Sequence, residues 1–325
     1  MKKQVLVTLA DKNYVKQAKQ LFSSAYWNGG WDGDFLLLSY NIAEKELEEF
    51  RKKGILVFKC KKLLDTLKIN NTEYSRDKRW IEIVSNKFYL FTNYFKKWDN
   101  IIFLDSDIIV RASINRLKNL KGINAVKDTN FKIKNQMIDF NILNNKDKEL
   151  YEEINKIYDI EKESFNSGVM IIDTEIINKD LFETLLKKLK KYGNICALGD
   201  QTILNFTFYD KWKKLDLVYN STTYFNQGNQ NSIILHVNSR IKAWDKESIF
   251  YNEWSSNFER FKEIDLQNPK KIKEWSILKI KLSSFFIQLK LLLNDSKNIE
   301  RIIGRMGNII RKISPNLYKF IKKRL

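Results

Sequence analysis

Short apolar runs alternate with charged, helix-like segments over the first hundred residues. The apolar runs predict four buried strands: Gln4 to Leu9, Asp34 to Ser39, Ile55 to Cys60, and Ile101 to Leu104. The segments between them predict helices at Tyr14 to Ser24, Ala43 to Lys53, and Trp80 to Lys97. This alternation is typical of an α/β fold with a largely parallel sheet covered on both faces. Ligands of such sheets bind beyond the carboxyl ends of the strands, and the first and fourth strands run into Asp11 and Asp105.

Beyond residue 110 the pattern is less regular. The polar segment Asn130 to Glu163 contains no clear strand and is expected to cross over the ligand-binding face. Phe165 to Asp173 predicts another strand, and Leu181 to Tyr192 another helix. The composition shifts around Asn268-Pro269, so we expect a main domain over residues 1–266 and a basic, helical appendage over residues 267–325.

Positive charge is concentrated in this appendage. The chain carries a net charge of +19, of which Pro269 to Leu325, with 15 Lys and Arg against three acidic residues, supplies +12. Ile299 to Ile313 places apolar side chains on one arc of a helix and basic ones opposite, and Trp275 to Leu292 repeats apolar residues every three or four positions. This pattern predicts amphipathic helices that lie on an anionic membrane surface. The alternatives are packing on the main domain and pairing in a homo-oligomer.

Composition narrows the class of protein further. Hydrophobic residues make up 43% of the chain, which indicates a globular fold. Cys60 and Cys196 are too few for a disulfide framework or a zinc cluster and fit a reducing cytosol. The first apolar run stops at Asp11, too early for a secretory signal, and no stretch approaches the roughly 20 apolar residues of a spanning helix. We therefore expect a cytoplasmic protein, peripheral on the inner face of the plasma membrane.

Candidate chemistry lies at the ends of predicted strands. Asp105-Ser106-Asp107 places two carboxylates after an apolar strand, where both can reach one hard cation. His236, the single histidine, follows the apolar run Ile233 to Leu235, and as a third ligand it would favour Mn²⁺ over Mg²⁺. Taken singly, a solvated strand end and a satisfied buried histidine also explain these residues. The sequence contains neither a glycine-rich dinucleotide motif nor a P-loop.

Small polar residues precede two further elements. Asn166 and Ser167 stand before a buried strand, and Asp200 and Gln201 precede a helical run. On its own, Asp200 fits a helix cap or a first-turn acid, and Lys242 fits a solvated lysine.

In this order the motifs resemble glycosyltransferase family 8, the retaining enzymes that include glycogenin, galactinol synthase and bacterial lipooligosaccharide galactosyl- and glucosyltransferases. The blocks that carry the similarity are Thr8 to Tyr14, Leu104 to Val110 (LDxDxxV), Phe165 to Met170 (FNSGVM), Gly199 to Asn205 (similar to GDQGLLN), and His236 to Trp244 (similar to HFxGxxKPW). Lys87 matches the family's basic position before the central strand. Ser239 and Ala243 depart from the usual Gly and Pro, and Ser239 could loosen the approach of backbone to phosphate.

The resemblance implies a GT-A type, Rossmann-like fold and the metal-dependent, retaining transfer of glucose or galactose from a UDP-sugar. It implies that Asp105, Asp107 and His236 hold Mn²⁺, with Mg²⁺ as the alternative, and that Asp200 and Gln201 act catalytically at the sugar. The residues expected to bind the donor are Leu9, Ala10, Asp11, Asn13, Tyr14, Lys87, Asp105, Ser106, Asp128, Asn166, Ser167, Ser239 and Lys242. The acceptor would be a glycan, glycolipid or glycoprotein, as in bacterial surface-polysaccharide or lipooligosaccharide synthesis.

Two alternatives come from other classes of protein. A net charge of +19 is also typical of nucleic-acid-binding proteins. The sequence contains no recognisable binding module for nucleic acid, and the excess charge lies in the appendage, so nucleic acid is not an expected partner. A catalytically silent, family-like binding protein would keep the same motifs, and metal-dependent hydrolysis of the donor separates an enzyme from both.

Overall fold

The computed structural model of the chain describes residues 3–63, 78–223 and 231–294. In these residues the strands are β1 (Gln4–Asp11), β2 (Asp34–Tyr40), β3 (Leu56–Lys59), β4 (Asn100–Leu104), β5 (Ile108–Val110), β6 (Ile123–Lys132), β7 (Glu163–Asp173), β8 (Trp212–Leu215), β9 (Ser221–Thr222) and β10 (Ile234–His236). The α-helices are α1 (Val15–Trp27), α2 (Glu44–Arg51), α3 (Lys78–Ser85), α4 (Asn145–Ile157), α5 (Leu181–Tyr192), α6 (Asp200–Thr207), α7 (Tyr251–Glu259) and α8 (Ile277–Asn294).

A seven-stranded sheet forms the centre of the fold, in the order β3-β2-β1-β4-β7-β6-β8. The strands β3, β2, β1 and β4 run parallel, and β7 runs antiparallel to its neighbours β4 and β6. A second sheet of three strands has the order β5-β10-β9. The α/β fold with a parallel-rich sheet that the apolar runs predicted is therefore confirmed.

The central sheet is covered on both faces. Every residue of β1 is buried, as a strand between two layers requires. Val5 and Val7 contribute to one core and Leu6 to the other, because successive side chains point to opposite faces. The first core includes apolar residues of α5 and α6, and the second those of α1 and α8.

The continuous helix predicted from Trp80 to Lys97 is wrong in its extent. The α-helix α3 ends at Ser85, and two 3-10 helices follow, Asn86–Phe91 and Asn93–Lys97. The side-chain amide of Asn86 donates to the carbonyls of Glu82 (2.8 Å) and Ile83 (3.1 Å), which a continuing helix would pair with backbone N–H groups. This competition from a short polar side chain explains the break.

The polar segment from Asn130 to Glu163 also differs from expectation. β6 continues to Lys132 inside it, and α4 follows. The side chain of Asn144 caps this helix by accepting from the backbone N–H of Asp147 at 2.9 Å. A local cap therefore starts a helix that the weak apolar periodicity did not reveal.

The chain on both sides of residue 266 packs into one body. The Tyr26 hydroxyl donates to the carbonyls of Asp265 (2.9 Å) and Asn268 (2.7 Å). Helix α8 buries Ile280 and Ile287 in the core shared with α1. Helix α8 therefore packs on the main domain, but Ile280 and Ile287 lie outside the predicted Trp275 to Leu292 repeat of apolar residues. The division at residue 266 stays a prediction.

The opposite face of α8 is exposed. Leu278 is 69% exposed, Leu282 is 42% exposed and Phe285 is 37% exposed, although Leu289 of the same predicted repeat is buried. Across the part of the chain that the structure describes, no helix combines the length and the hydrophobicity that crossing a bilayer requires. The amphipathic segment Ile299 to Ile313 lies outside the described residues.

Candidate active site

A cavity of about 400 Å³ lies at the carboxyl-terminal ends of β1 and β4. Residues from β1, from the turn after β4, from β7 and from the start of α6 meet there, so the cavity occupies the edge where open α/β sheets bind their ligands. Every residue that the sequence predicted for the site lines this cavity except Asn13 and Ser239.

Three side chains with metal-ligand chemistry converge in the cavity. The ligand atoms of Asp105, Asp107 and His236 all lie within 4.8 Å of one another. The carboxylates belong to the turn after β4, and β5 then pairs antiparallel with β10 so that Ile108 lies opposite His236. Two carboxylates and an imidazole suit a divalent ion such as Mn²⁺. The donor set therefore fits the cation that the resemblance implied.

Gly168 in β7 makes room for the imidazole. A Cβ atom at this position would lie 2.4 Å from Cε1 and 2.8 Å from Nδ1 of His236. Even alanine would collide with the ring at these distances. The glycine of the FNSGVM block is therefore required by the packing of β7 against the ligand-bearing end of β10.

Lys87 joins the metal-ligand turn to the start of α6. Its Nζ lies 3.0 Å from a carboxylate oxygen of Asp105 and 3.0 Å from one of Asp200, and it donates to the Ser167 hydroxyl at 3.3 Å. Burial by itself would lower the pKa of Lys87, but the two carboxylates outweigh it and raise that pKa. The amine therefore stays charged inside the cavity wall.

Lys242 neutralises the second carboxylate of the turn. Its Nζ lies 2.8 Å from Oδ2 of Asp107, and Nε2 of His236 lies 3.1 Å from Oδ1 of the same residue. The positive charge of Lys242 at this distance favours the ionised form of Asp107 despite its burial. Asp107 is therefore ionised at neutral pH and available as a cation ligand.

Amide and carboxyl groups line the far side of the cavity. The Gln201 side chain accepts from the backbone N–H of Ser167 (2.9 Å) and donates to Oδ2 of Asp128 (2.8 Å). Burial raises the pKa of Asp128 to about 6, even though hydrogen bonds from Gln201 and Gln136 act in the other direction. Burial also raises the pKa of Asp200, against the opposing charge of Lys87. Carboxyl groups of such different environments can serve different roles at one substrate.

The end of β1 forms another wall, and Asn13 lies outside it. Asp11 is buried there, and the exposed Asn13 donates to it from both its backbone N–H (2.9 Å) and its side-chain amide (3.2 Å). Asn13 therefore supports Asp11 from outside the cavity lining, and its direct contact with the donor stays a prediction. Tyr14 lines the cavity and packs edge-on against Trp244, with ring centroids 5.7 Å apart.

Ser239 likewise stands behind the cavity wall. Its hydroxyl donates to the carbonyl of Ile241 (2.8 Å) and accepts from the Thr223 hydroxyl (3.1 Å). These bonds hold the loop that carries Lys242. A serine in place of the family's usual glycine thus closes the loop on itself, and the role of Ser239 in donor binding stays a prediction.

Sequence reasoning missed six lining residues. They are Trp80, Ile83, Val84, Leu198, Thr222 and Asn238. The apolar residues among them come from α3 and from the segment before α6. The sequence of neither segment indicates that the two lie close together in the fold. Gly199 has a φ of +53°, and a Cβ atom there would lie 3.0 Å from the Trp80 ring. A glycine before an acidic helix start was the available signal for this close approach.

Comparison with known proteins agrees with this geometry. Residues 5–248 match the model of glycosyl transferase family 8. The chain is 26% identical over 221 residues to glycosyltransferase GlyF of Streptococcus pneumoniae serotype 4, covering 66% of this chain and 48% of GlyF. It is 28% identical over 138 residues to glycosyltransferase GlyB of the same organism, covering 41% of this chain and 27% of GlyB. The chain thus spans about half the length of the first relative and less of the second.

A solved structure shows the same fold. The galactosyltransferase LgtC, in complex with donor and acceptor sugar analogues, superposes with a TM-score of 0.58 at 17% identity, covering 83% of this chain and 98% of LgtC. The fold is that of a GT-A glycosyltransferase. More narrowly, the chain belongs to glycosyltransferase family 8, as its sequence motifs implied.

Proposed function

We propose that the chain is a metal-dependent, retaining hexosyltransferase that moves glucose or galactose from a UDP-sugar to a glycan, glycolipid or glycoprotein acceptor in bacterial surface-glycan synthesis. One observation carries the proposal. One cavity of about 400 Å³ is lined by the ligand atoms of Asp105, Asp107 and His236, by the buried Lys87 and the half-buried Lys242, and by polar groups that can hydrogen-bond a sugar. The similarity to LgtC, a galactosyltransferase solved with donor and acceptor sugar analogues, supports the choice of hexose and substrate class.

The leaving-group end lies at the carboxylate turn. Transfer breaks the bond between the anomeric carbon and a phosphate oxygen, and the departing UDP gathers negative charge. Asp105, Asp107 and His236 would hold a divalent cation, which would supply Lewis-acid neutralisation of that charge. Lys242, held in place by Asp107, adds a preorganised positive charge on the same side. Lys87 offsets the carboxylates of Asp105 and Asp200, so that the cavity accepts an anionic donor.

The sugar end lies across the cavity. The sugar becomes oxocarbenium-like as the bond breaks, and nearby carboxylates stabilise positive charge. Asp200 is held in one orientation by Lys87 and by the Ser167 hydroxyl, which donates to it at 3.1 Å. Gln201 is held by Ser167 and Asp128. We assign charge stabilisation to Asp200 and substrate positioning to Gln201 and Asp128.

A donor screen tests this function. Purified full-length chain is incubated with a panel of sugar nucleotides, and release of nucleoside diphosphate is measured with Mn²⁺ and with EDTA. We expect release from UDP-glucose or UDP-galactose that depends on the metal. An absence of release from every donor, with binding of UDP retained, would instead identify a catalytically silent binding protein.

We further propose that the appendage holds the protein on an anionic membrane, at the inner face of the plasma membrane. The support is the exposed apolar stripe of Leu278, Leu282 and Phe285 on α8, flanked by Lys279. Each basic residue near an anionic leaflet contributes about 1 kcal/mol, and the apolar side chains add burial in the interface.

Substitution is a sharper test of this membrane proposal than truncation. Removing the chain after residue 268 would also remove Ile280 and Ile287 from the core. Leu278→Ser and Leu282→Ser leave that core intact, and we expect them to reduce co-sedimentation with anionic vesicles at low salt. The matched control is Ile249→Ser, at an apolar residue that is 67% exposed outside α8. The proposal would be contradicted if the two α8 variants sedimented with the vesicles as fully as the wild type and Ile249→Ser do.

A further inference from the structure

Four polar groups form a hydrogen-bonded relay behind His236. The backbone N–H of Gly168 donates to Oδ1 of Asn166 at 2.9 Å. Nδ2 of Asn220 donates to the same oxygen at 2.9 Å, and Oδ1 of Asn220 lies 3.0 Å from Nδ1 of His236. Asn166, Asn220 and His236 are 9%, 3% and 4% exposed, so water hardly competes for these bonds.

The direction of the relay is determined at its Gly168 end. A backbone N–H can only donate, so the Asn166 atom that faces it must be the carbonyl oxygen. Since that oxygen cannot donate, Asn220 must turn its NH₂ group toward it and its own carbonyl oxygen toward the imidazole. A carbonyl oxygen only accepts, and therefore Nδ1 of His236 carries a proton.

We propose that Asn220 is a positioning residue that holds His236 in the Nδ1-protonated tautomer. The neutral ring then has its lone pair on Nε2, the nitrogen that lies 3.1 Å from Oδ1 of Asp107. Metal-binding histidines are usually oriented by a hydrogen bond from the ring nitrogen that does not bind the metal. The inference rests on the metal-ligand role proposed above for His236, and it assigns the supporting part of that site to Asn220.

The strand arrangement brings the members of the relay together. Asn220 directly precedes β9, which pairs with β10 so that Thr222 lies opposite His236. Gly168 lies in β7, where the register with β6 shifts, and its N–H bonds to a side chain. The carbonyl of Gly168 accepts from the backbone N–H of Asp105 at 2.8 Å. The relay thus starts beside one carboxylate of the metal cluster and ends at the imidazole.

In the absence of metal, Asp107 and Asn220 favour different tautomers of His236. As an acceptor next to Nε2, Asp107 favours the proton on that nitrogen, whereas Asn220 favours it on Nδ1. Replacing Asn220 by an apolar residue of similar size should therefore move the proton from Nδ1 to Nε2. This reversal distinguishes a positioning role from a merely structural one.

The single histidine makes the tautomer directly measurable. The metal-free, full-length chain is labelled with ¹⁵N-histidine, and its ring nitrogens are observed by NMR at alkaline pH, where imidazole is neutral. We expect a protonated Nδ1 and an unprotonated Nε2 in the wild type, and the reverse in Asn220→Leu. A protonated Nε2 in the wild type would overturn the proposal, and this measurement does not require the variant to fold.

Metal affinity gives a second readout. Calorimetric titration with Mn²⁺ alone should show affinity about 10- to 100-fold weaker in Asn220→Leu than in the wild type. Asn257→Leu is the matched control, at an equally buried asparagine in α7 outside the site, and its affinity should be unchanged. Equal affinity of Asn220→Leu and wild type would also overturn the proposal. If the wild type binds no Mn²⁺, the proposed function fails, while the NMR result still judges the relay.

Discussion

The ammonium group of Lys87 lies 3.0 Å from the carboxylate of Asp200, with both side chains almost fully buried. The same amine lies 3.0 Å from Asp105. One lysine therefore offsets two carboxylates, one in the metal-ligand turn and one at the start of α6. It ties the proposed leaving-group end of the cavity to the proposed sugar end.

This buried pairing predicts a large stability effect at Lys87. Lys87→Met leaves two carboxylates without their cation and should lower the free energy of unfolding by about 3–5 kcal/mol. Urea denaturation of the variant and the wild type measures this difference in the free energy of unfolding. Lys132→Met is the control, because its ion pair with Glu161 is half exposed and screened by water, so its loss should cost much less stability. Losses of equal size in the two variants would show that the buried network does not stabilise the fold.

Metal dependence is predicted to follow the three converging ligands. Asp105→Ala, Asp107→Ala and His236→Ala should each abolish sugar transfer while the circular-dichroism spectrum stays that of a folded chain. Treatment with EDTA should abolish transfer by the wild type, and Mn²⁺ should restore it. The exposed Asp139 is the control position for alanine substitution. Full activity in EDTA, or in Asp107→Ala, would refute the assignment.

Asp200 should affect turnover more than donor binding. Asp200→Asn keeps the shape of the side chain but removes the charge that is needed when the sugar becomes cationic, so kcat should fall much more than donor affinity. Steady-state kinetics and donor titration by calorimetry separate the two quantities. Unchanged turnover with weaker donor binding would assign Asp200 to binding or to capping of α6.

The raised pKa of Asp128 predicts that the stability of the fold depends on pH. Burial raises its pKa from 3.8 to about 6 in the folded chain, so the native state binds more protons than the unfolded state between these values. The free energy of unfolding should therefore fall as the pH rises through this window. In metal-free protein, Asp128→Asn should be more stable than wild type well above pH 6 by up to about 3 kcal/mol.

This advantage of Asp128→Asn should vanish below the unfolded-state pKa of 3.8, where the wild-type carboxyl is protonated in both states. Urea midpoints of both proteins, measured across the pH range, test the sign and the size of the stability difference between Asp128→Asn and wild type. A variant that is less stable than wild type at neutral pH would show that the hydrogen bonds to Gln201 and Gln136 outweigh the burial of the charge.

Local patterns predicted strands and helices alike where the apolar pattern is regular, and α5 spans the predicted Leu181 to Tyr192. β1, β2 and β4 are found close to their predicted positions, because strands buried on both faces must be apolar at nearly every position. α3 ends early because Asn86 competes for its last carbonyls, and α4 begins at a polar cap. Neither effect changes the apolar periodicity from which helices are predicted.

The sequence by itself determined the family and the candidate metal ligands, which are written in short motifs, and the parallel-rich sheet, which follows from the alternation of apolar runs and helical segments. Only the tertiary structure decided which groups meet: Lys87 with Asp200, and Asn220 with His236. It also paired Asn13 with Asp11 and packed one face of α8 into the core. These contacts depend on strand register and on helix docking over long separations in the chain, and neither can be read from the residues of one segment.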